Sequence, residues 1–251
     1  IEALLIAYSN WNDTQYLAMI DSLASGLEAT AITNDDYLAP YGGVSGGLNG
    51  TGIWTADEVW LSYSNFIAFD YLSESRGEPW TELTEKMKDA ILEAQIWNGL
   101  YNSELTVARQ HANNMDNGMH SINSLWIMVR SAESNDIELK ESARVSLEFY
   151  KERMEENGKI YMSYSSDSTS SVPHDSPWVY ALVGRAAVAL EDEEFADEMI
   201  AKLLEFQIND PELHLHGAII EGSEADRRVG QFTMQESILT LQDYIMMKQG
   251  Y

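Results

Sequence analysis

Along residues 137 to 156, "IELKESARVSLEFYKERMEE", the apolar positions Leu139, Ala143, Leu147, Tyr150 and Met154 return at steps of three and four. That period places them on one stripe of an α-helix and leaves Glu141, Glu148 and Lys151 in water. "PWTELTEKMKDAILEAQIW" and "EEFADEMIAKLLEFQ" read the same way. The stretches in front of these differ. "WVYALVGRAAVAL", which begins at Trp178, is apolar nearly all round and rich in Ala and Gly, as expected of a helix packed on several sides. The pattern predicts pairs, each an inner helix followed by an outer one.

Three such pairs resemble one another. "TADEVWLSYSNFIAFDYLSES" (55 to 75), "NGMHSINSLWIMVRSAES" (117 to 134) and "VPHDSPWVYALVGRAAVALED" (172 to 192) share a polar lead-in, a Trp early in an apolar helix and an acidic exit. Trp60, Trp126 and Trp178 mark equivalent places in this reading. With its outer helix, each forms a hairpin repeating about every 50 to 65 residues. Short aromatic segments with Gly, Asn or Pro signals follow the hairpins: "NDDYLAPYGG", "NGLYNSEL", "NGKIYMSY" and "NDPELHLHGAII". "IEALLIAY" with "TQYLAMIDSLASGLEA" adds a hairpin at the start, and "FTMQESILTLQDYIMMK" a last inner helix. The expected fold is therefore all-α, with about four and a half hairpins in a single domain spanning 1–251. Such hairpins close into an (α/α) barrel or toroid whose inner-helix lead-ins gather at one end; an open α-solenoid is the alternative.

Composition narrows the partners. The formal net charge is -26, from 41 acidic and 15 basic residues, which repels a phosphate backbone and an anionic membrane surface, so nucleic acid is not expected. Neutral or cationic ligands suit it better. The absence of cysteine excludes a disulfide framework and a thiolate metal site. No apolar run approaches the roughly 20 residues needed to span a bilayer. Charge, the sequons at Asn12 and Asn49 and a start at Ile1 rather than Met together suggest a secreted or cell-surface protein.

Chemistry concentrates in the lead-in loops. All five histidines, His111, His120, His174, His214 and His216, fall there, beside Asp35, Asp36, Asp57, Glu58, Asp116, Asp175 and Glu221 and the aromatic residues Trp54, Tyr37, Tyr41 and Tyr164. Aromatic faces stack on pyranose rings, and carboxylates bind hydroxyls or act as acid and base across a glycosidic bond. The expected catalytic set is Asp57, Glu58, Asp175 and Asp116; the expected sugar contacts are Trp54, Tyr37, Tyr41, His120, His174, Tyr164 and Arg228. The plainer reading is that Asp57, Asp116 and Asp175 cap helix N-termini, and that Arg227 and Arg228 pair with Glu224 and Asp226. His214 and His216 would share a face on a strand, but two histidines without a third ligand do not make a metal site, and no metal or cofactor is expected. No P-loop, GxGxxG, GxSxG or HExxH motif occurs.

"HDSPWVYALVGRAAVALEDEEFADEMIAKLLEFQINDPELHLHGAI", followed by "QFTMQESILTLQDY", is similar to the closing hairpins of proteins related to glycoside hydrolase family 8. The chain as a whole resembles the six-hairpin (α/α) barrel glycosidases. The resemblance implies endo-acting, inverting hydrolysis of a β-linked polysaccharide. It also implies a role for Asp57, because "TADEVWLSY" resembles the family's Asp-bearing approach to an inner helix. No Ser-Glu-Gly segment of the family's type occurs, and six hairpins need more chain than four and a half, which leaves room for an N-terminal part beyond this sequence. Two other readings stay open. One is a barrel that binds carbohydrate or another partner without catalysis; the other is a toroid of the isoprenoid-cyclase or thioester-domain kind, which lacks its Asp cluster and Cys here. The oligomeric state is not legible.

Overall fold

The computed structural model describes residues 1–39, 58–106, 108–112, 120–170, 174–221 and 229–250. Four hairpins follow one another: α1 (Glu2–Trp11) with α2 (Gln15–Thr30), α3 (Phe66–Arg76) with α4 (Trp80–Ala94), α5 (Ile122–Glu133) with α6 (Ile137–Asn157), and α7 (Pro177–Ala189) with α8 (Glu193–Leu204). A last helix, α9 (Gln231–Gln249), has no outer partner among the described residues. Helices α3, α5, α7 and α9 pack side by side in chain order, with α4, α6 and α8 behind them. The first hairpin is tied on by Glu28 of α2, which takes hydrogen bonds from the Arg76 guanidinium (2.7 Å) and the Trp80 indole N–H (2.6 Å).

Burial follows the predicted division. From Pro177 to Ala187 every residue of α7 is buried, whereas α6 buries only the stripe that includes Leu139, Ala143, Leu147, Tyr150 and Met154. Close approach is built into α7 at Gly184, where a Cβ would lie 3.2 Å from Met199 Cβ of α8 and 3.4 Å from Thr240 Cγ2 of α9. The Thr240 hydroxyl lies 2.9 Å from the Ala181 carbonyl and fastens α9 to α7.

Local signals explain the helix ends. Asp136 caps α6 by accepting from the N–H groups of Glu138 and Leu139, and Asp192 caps α8 through Phe195. Gly158 closes α6 at φ 67°, a left-handed conformation that glycine adopts without strain.

The stretch from 55 to 75 differs from the expected continuous inner helix. Trp60 lies in a two-residue strand, β1 (Val59–Trp60), a 3-10 turn follows at Leu61–Tyr63, and α3 begins only at Phe66. Asn65 sets that start by accepting from the Ala68 N–H at 2.9 Å. Trp60 is therefore not equivalent to Trp126 and Trp178, which do lie in early helical turns. Strand β1 pairs antiparallel with β2 (Glu104–Leu105), which pairs antiparallel with β3 (His111–Ala112). This sheet joins the approaches to α3 and α5. Isolated bridges between Gln95 and Tyr101, His120 and Tyr164, and Gln207 and Ile219 stitch the same end further round.

Candidate functional site

At the N-terminal ends of α3, α5 and α9 a cavity of about 430 Å³ opens. Tyr63, Trp126 and Phe232 give it aromatic walls, Ser62, Asn65 and Asn123 supply neutral polar groups, and Ile122 and Arg130 complete it. Each group is held in place. The Tyr63 ring, 55 % exposed, stacks on Trp60 with centroids 5.4 Å apart. Trp126 leans on Phe232 at 6.4 Å and carries the Arg130 guanidinium 5.0 Å above its ring. The Asn65 amide donates to Glu2 at 2.6 Å. Glu2 also receives Arg130 at 3.1 Å, so α1 helps close the floor.

Behind the cavity lies a charged cluster on the inner helices. Arg130 pairs with Glu133 at 3.1 Å, and Arg185 meets Glu133 at 2.5 Å and Glu236 and Asp243 at 3.5 Å each. Burial pushes the carboxyls of Glu133, Glu236 and Asp243 above their ordinary range, and the arginines only partly oppose it. Carboxyls of this kind hold protons at higher pH than free ones.

The N-caps of α5, α7 and α9, which are Ser121, Ser176 and Gly230, make no side-chain capping bond. Asp175 does not cap α7, contrary to the plainer expectation. Its half-buried carboxylate instead accepts from the Tyr180 hydroxyl at 2.9 Å. Capping acids occur at the opposite ends of hairpins, on the outer helices, as Asp136 and Asp192.

The other expected site residues divide into three groups. Asp57, Asp116, Trp54, Tyr41 and Arg228 lie outside the described residues. Glu58, half-buried, directly precedes β1 and so sits on the chain segment that leads to Ser62 and Tyr63. His174 is exposed on the lead-in to α7, its carbonyl accepting from Met162 N–H at 2.9 Å, and Tyr37 lies under Arg109, whose guanidinium stands 4.9 Å from the ring centre.

His120 and Tyr164 correct the expectation of sugar contacts. The bridge brings them together, but both side chains are buried, at 0 % and 2 % exposure. His120 Nδ1 lies 2.7 Å from the Tyr101 carbonyl and Nε2 lies 3.1 Å from Ser166 Oγ, and burial lowers its pKa. Tyr164 packs edge-on against Phe149 at 5.0 Å and accepts from the Tyr161 N–H at 2.8 Å. These residues support the rim from within. His214 and His216 lie in a run of turns rather than a strand, and no cluster of three or more metal-ligating side chains occurs among the described residues.

Tyr63, Asn65, Asn123 and Phe232 were not singled out by the sequence, and Trp126 was read only as a marker of the repeat. The usable signal was polar and aromatic side chains in or just before the first turns of otherwise apolar inner helices. Glu104, buried in β2 and in register with Trp60, was also missed.

No protein-family profile and no curated protein sequence matches the chain. Solved structures do. An alpha-amylase from Clostridium perfringens superposes with a TM-score of 0.80 at 21% identity, over 97% of this chain and 69% of that one. A D-mannose isomerase gives 0.70 at 13% identity, over 98% and 67%. A beta-1,3-1,4-glucanase from Paenibacillus sp. X4 gives 0.69 at 14% identity, over 99% and 64%. The chain thus spans about two thirds of the length of the proteins it resembles. Family 8 endoglucanases and xylanases share the architecture as well. The likeness shows the fold: the helical hairpins of this chain are arranged as in these (α/α) barrel structures.

Proposed function

We propose that the chain carries the carbohydrate site of a glycoside hydrolase acting on a neutral or cationic polysaccharide by carboxylate acid/base catalysis. The observation that carries this reading is the cavity itself: three aromatic walls and three neutral polar side chains at the inner-helix N-termini. Aromatic faces stack on the C–H faces of sugar rings, and amides and hydroxyls exchange hydrogen bonds with their hydroxyls. Glu58 and Asp175, on rim segments leading to α3 and α7, are the described candidates for acid and base; Asp57 and Asp116, outside the described residues, remain candidates from the sequence. Most of the structural neighbours are named as glycosidases, which supports the reading without fixing the substrate. An inverting pair would stand roughly 6.5 to 9.5 Å apart, leaving room for a water between carboxylate and sugar.

A second reading has its own support. None of the described residues lining the cavity is a carboxylate, which suits a barrel that binds sugar without cleaving it. Reducing-end release from β-glucans, xylan, mannan, chitosan and starch separates the two. Hydrolysis that disappears in Asp57→Asn or Asp175→Asn, with the melting temperature retained, supports the enzyme and assigns a carboxylate. A melting shift with one glycan but no release supports the binding barrel.

A further inference from the structure

Trp97 is 78 % exposed, an unusual position for an indole and one that its surroundings hold rigidly. It occupies the second place of a tight turn closed by Gly99 N–H donating to the Ile96 carbonyl at 2.9 Å. The Ile96 N–H bonds the Leu100 carbonyl at 2.8 Å, and the Gln95 amide reaches the Ser142 carbonyl at 2.7 Å. Asn98 donates to Ser168 Oγ at 2.9 Å, fastening the turn to the loop after α6. Gly99, at φ 90°, lies flat on α6: a Cβ there would stand 2.7 Å from the Val145 carbonyl oxygen. The backbone beneath the indole is thus fixed on four sides, and only its own χ angles remain free.

The turn belongs to the same end of the molecule as the cavity. Tyr101 donates its N–H to Ser124 Oγ at 2.9 Å, in the first turn of α5, beside the cavity residue Asn123. Its carbonyl meets His120 Nδ1 at 2.7 Å, and His120 in turn meets Ser166 on the loop that Asn98 holds. That loop presents Asp167, whose carboxyl is held down to about 2 by hydrogen bonds from Ser165 and Thr169 and so stays an ionised acceptor for hydroxyls.

We propose that Trp97 is a second sugar-stacking platform, outside the cavity, that takes hold of a polysaccharide chain at the rim. This rests on the reading of the cavity as a carbohydrate site and adds that the ligand is a polymer rather than a mono- or disaccharide. An aromatic platform bound to a stiff turn loses little conformational freedom when a pyranose stacks on it, so most of the contact energy goes into affinity.

The test compares wild type, Trp97→Ala, Trp97→Phe and Trp126→Ala. Affinity electrophoresis uses mixed-linkage β-glucan, xylan and soluble starch, and calorimetry uses cellobiose, xylobiose and maltose. The expected result is that Trp97→Ala weakens polymer binding by on the order of tenfold, that Trp97→Phe retains most of it, and that disaccharide binding is unchanged in both. Trp126→Ala weakens both ligand classes. Equal polymer binding by Trp97→Ala and wild type overturns the platform, while disaccharide binding lost only in Trp126→Ala keeps the cavity. Wild type that binds neither polymers nor disaccharides overturns both. Because Trp97 is exposed, its two variants are expected to melt with wild type, which excludes unfolding as the cause of their effect; Trp126→Ala is compared at a temperature below its own melting point.

Discussion

The Tyr180 hydroxyl orients Asp175 by donating to its carboxylate at 2.9 Å. Burial and the neighbouring carboxylate push the phenol well above its ordinary pKa, so it keeps its proton as a hydrogen-bond donor. Tyr180→Phe removes it, at an expected cost of about 1 kcal/mol in stability. If Asp175 is the base, kcat falls in Tyr180→Phe because the carboxylate loses the bond that orients it; an unchanged kcat would detach Asp175 from catalysis. His120 answers to a different measurement. Its ring fills a buried site and spans Tyr101 and Ser166, so His120→Ala is expected to cost about 2 to 4 kcal/mol in chemical denaturation. Its effect on disaccharide affinity in the molecules that remain folded should be small.

Among the elements, the turn after α4 and the last helix make opposite demands. Gly99→Ala forces a Cβ into the Val145 carbonyl at a positive φ, and a loss of about 2 kcal/mol or more is expected, read as a lower urea midpoint. Helix α9 is tolerant on one side: Ile238 and Ile245 are 56 % and 52 % exposed, because no outer helix among the described residues covers them. Ile238→Gln should therefore change stability by no more than about 0.5 kcal/mol, although the sequence there reads as an inner helix. The inner and outer roles of α6, α7 and α8 were legible because a long stripe and an all-apolar run differ over a dozen residues. The lead-in to α3 was not, since the apolar run Val59, Trp60 and Leu61, buried here in a short strand and a 3-10 turn, carries no period that separates these from a helix. Two-residue strands have no period to detect, so the sheet was invisible. The cavity was half legible. Its end of the molecule followed from the repeat, but its walls came from helical first turns, where aromatic residues pass for core.

Over the whole molecule, charge is the dominant design variable. A chain at -26 nevertheless places three of its carboxyls, Glu133, Glu236 and Asp243, wholly or partly buried along its inner helices against two arginines, Arg130 and Arg185. A carboxyl whose folded pKa is raised adds stability below its unfolded pKa, and loses that contribution as pH rises through the raised value. Glu236→Gln, which imitates the protonated form, should therefore flatten the fall in melting temperature between pH 4.5, the ordinary Glu value, and pH 7. A fall as steep as in wild type would show that Arg185 satisfies the ionised form. The strands and bridges along the rim have a further consequence, for exchange of parts between related barrels. Where each hairpin stands alone, a loop can be transplanted by itself. Here β2 is shared between the approaches to α3 and α5, and the His120–Tyr164 bridge ties the approach to α5 to the loop after α6. Loops on this rim would have to be inherited, or grafted, in adjacent sets.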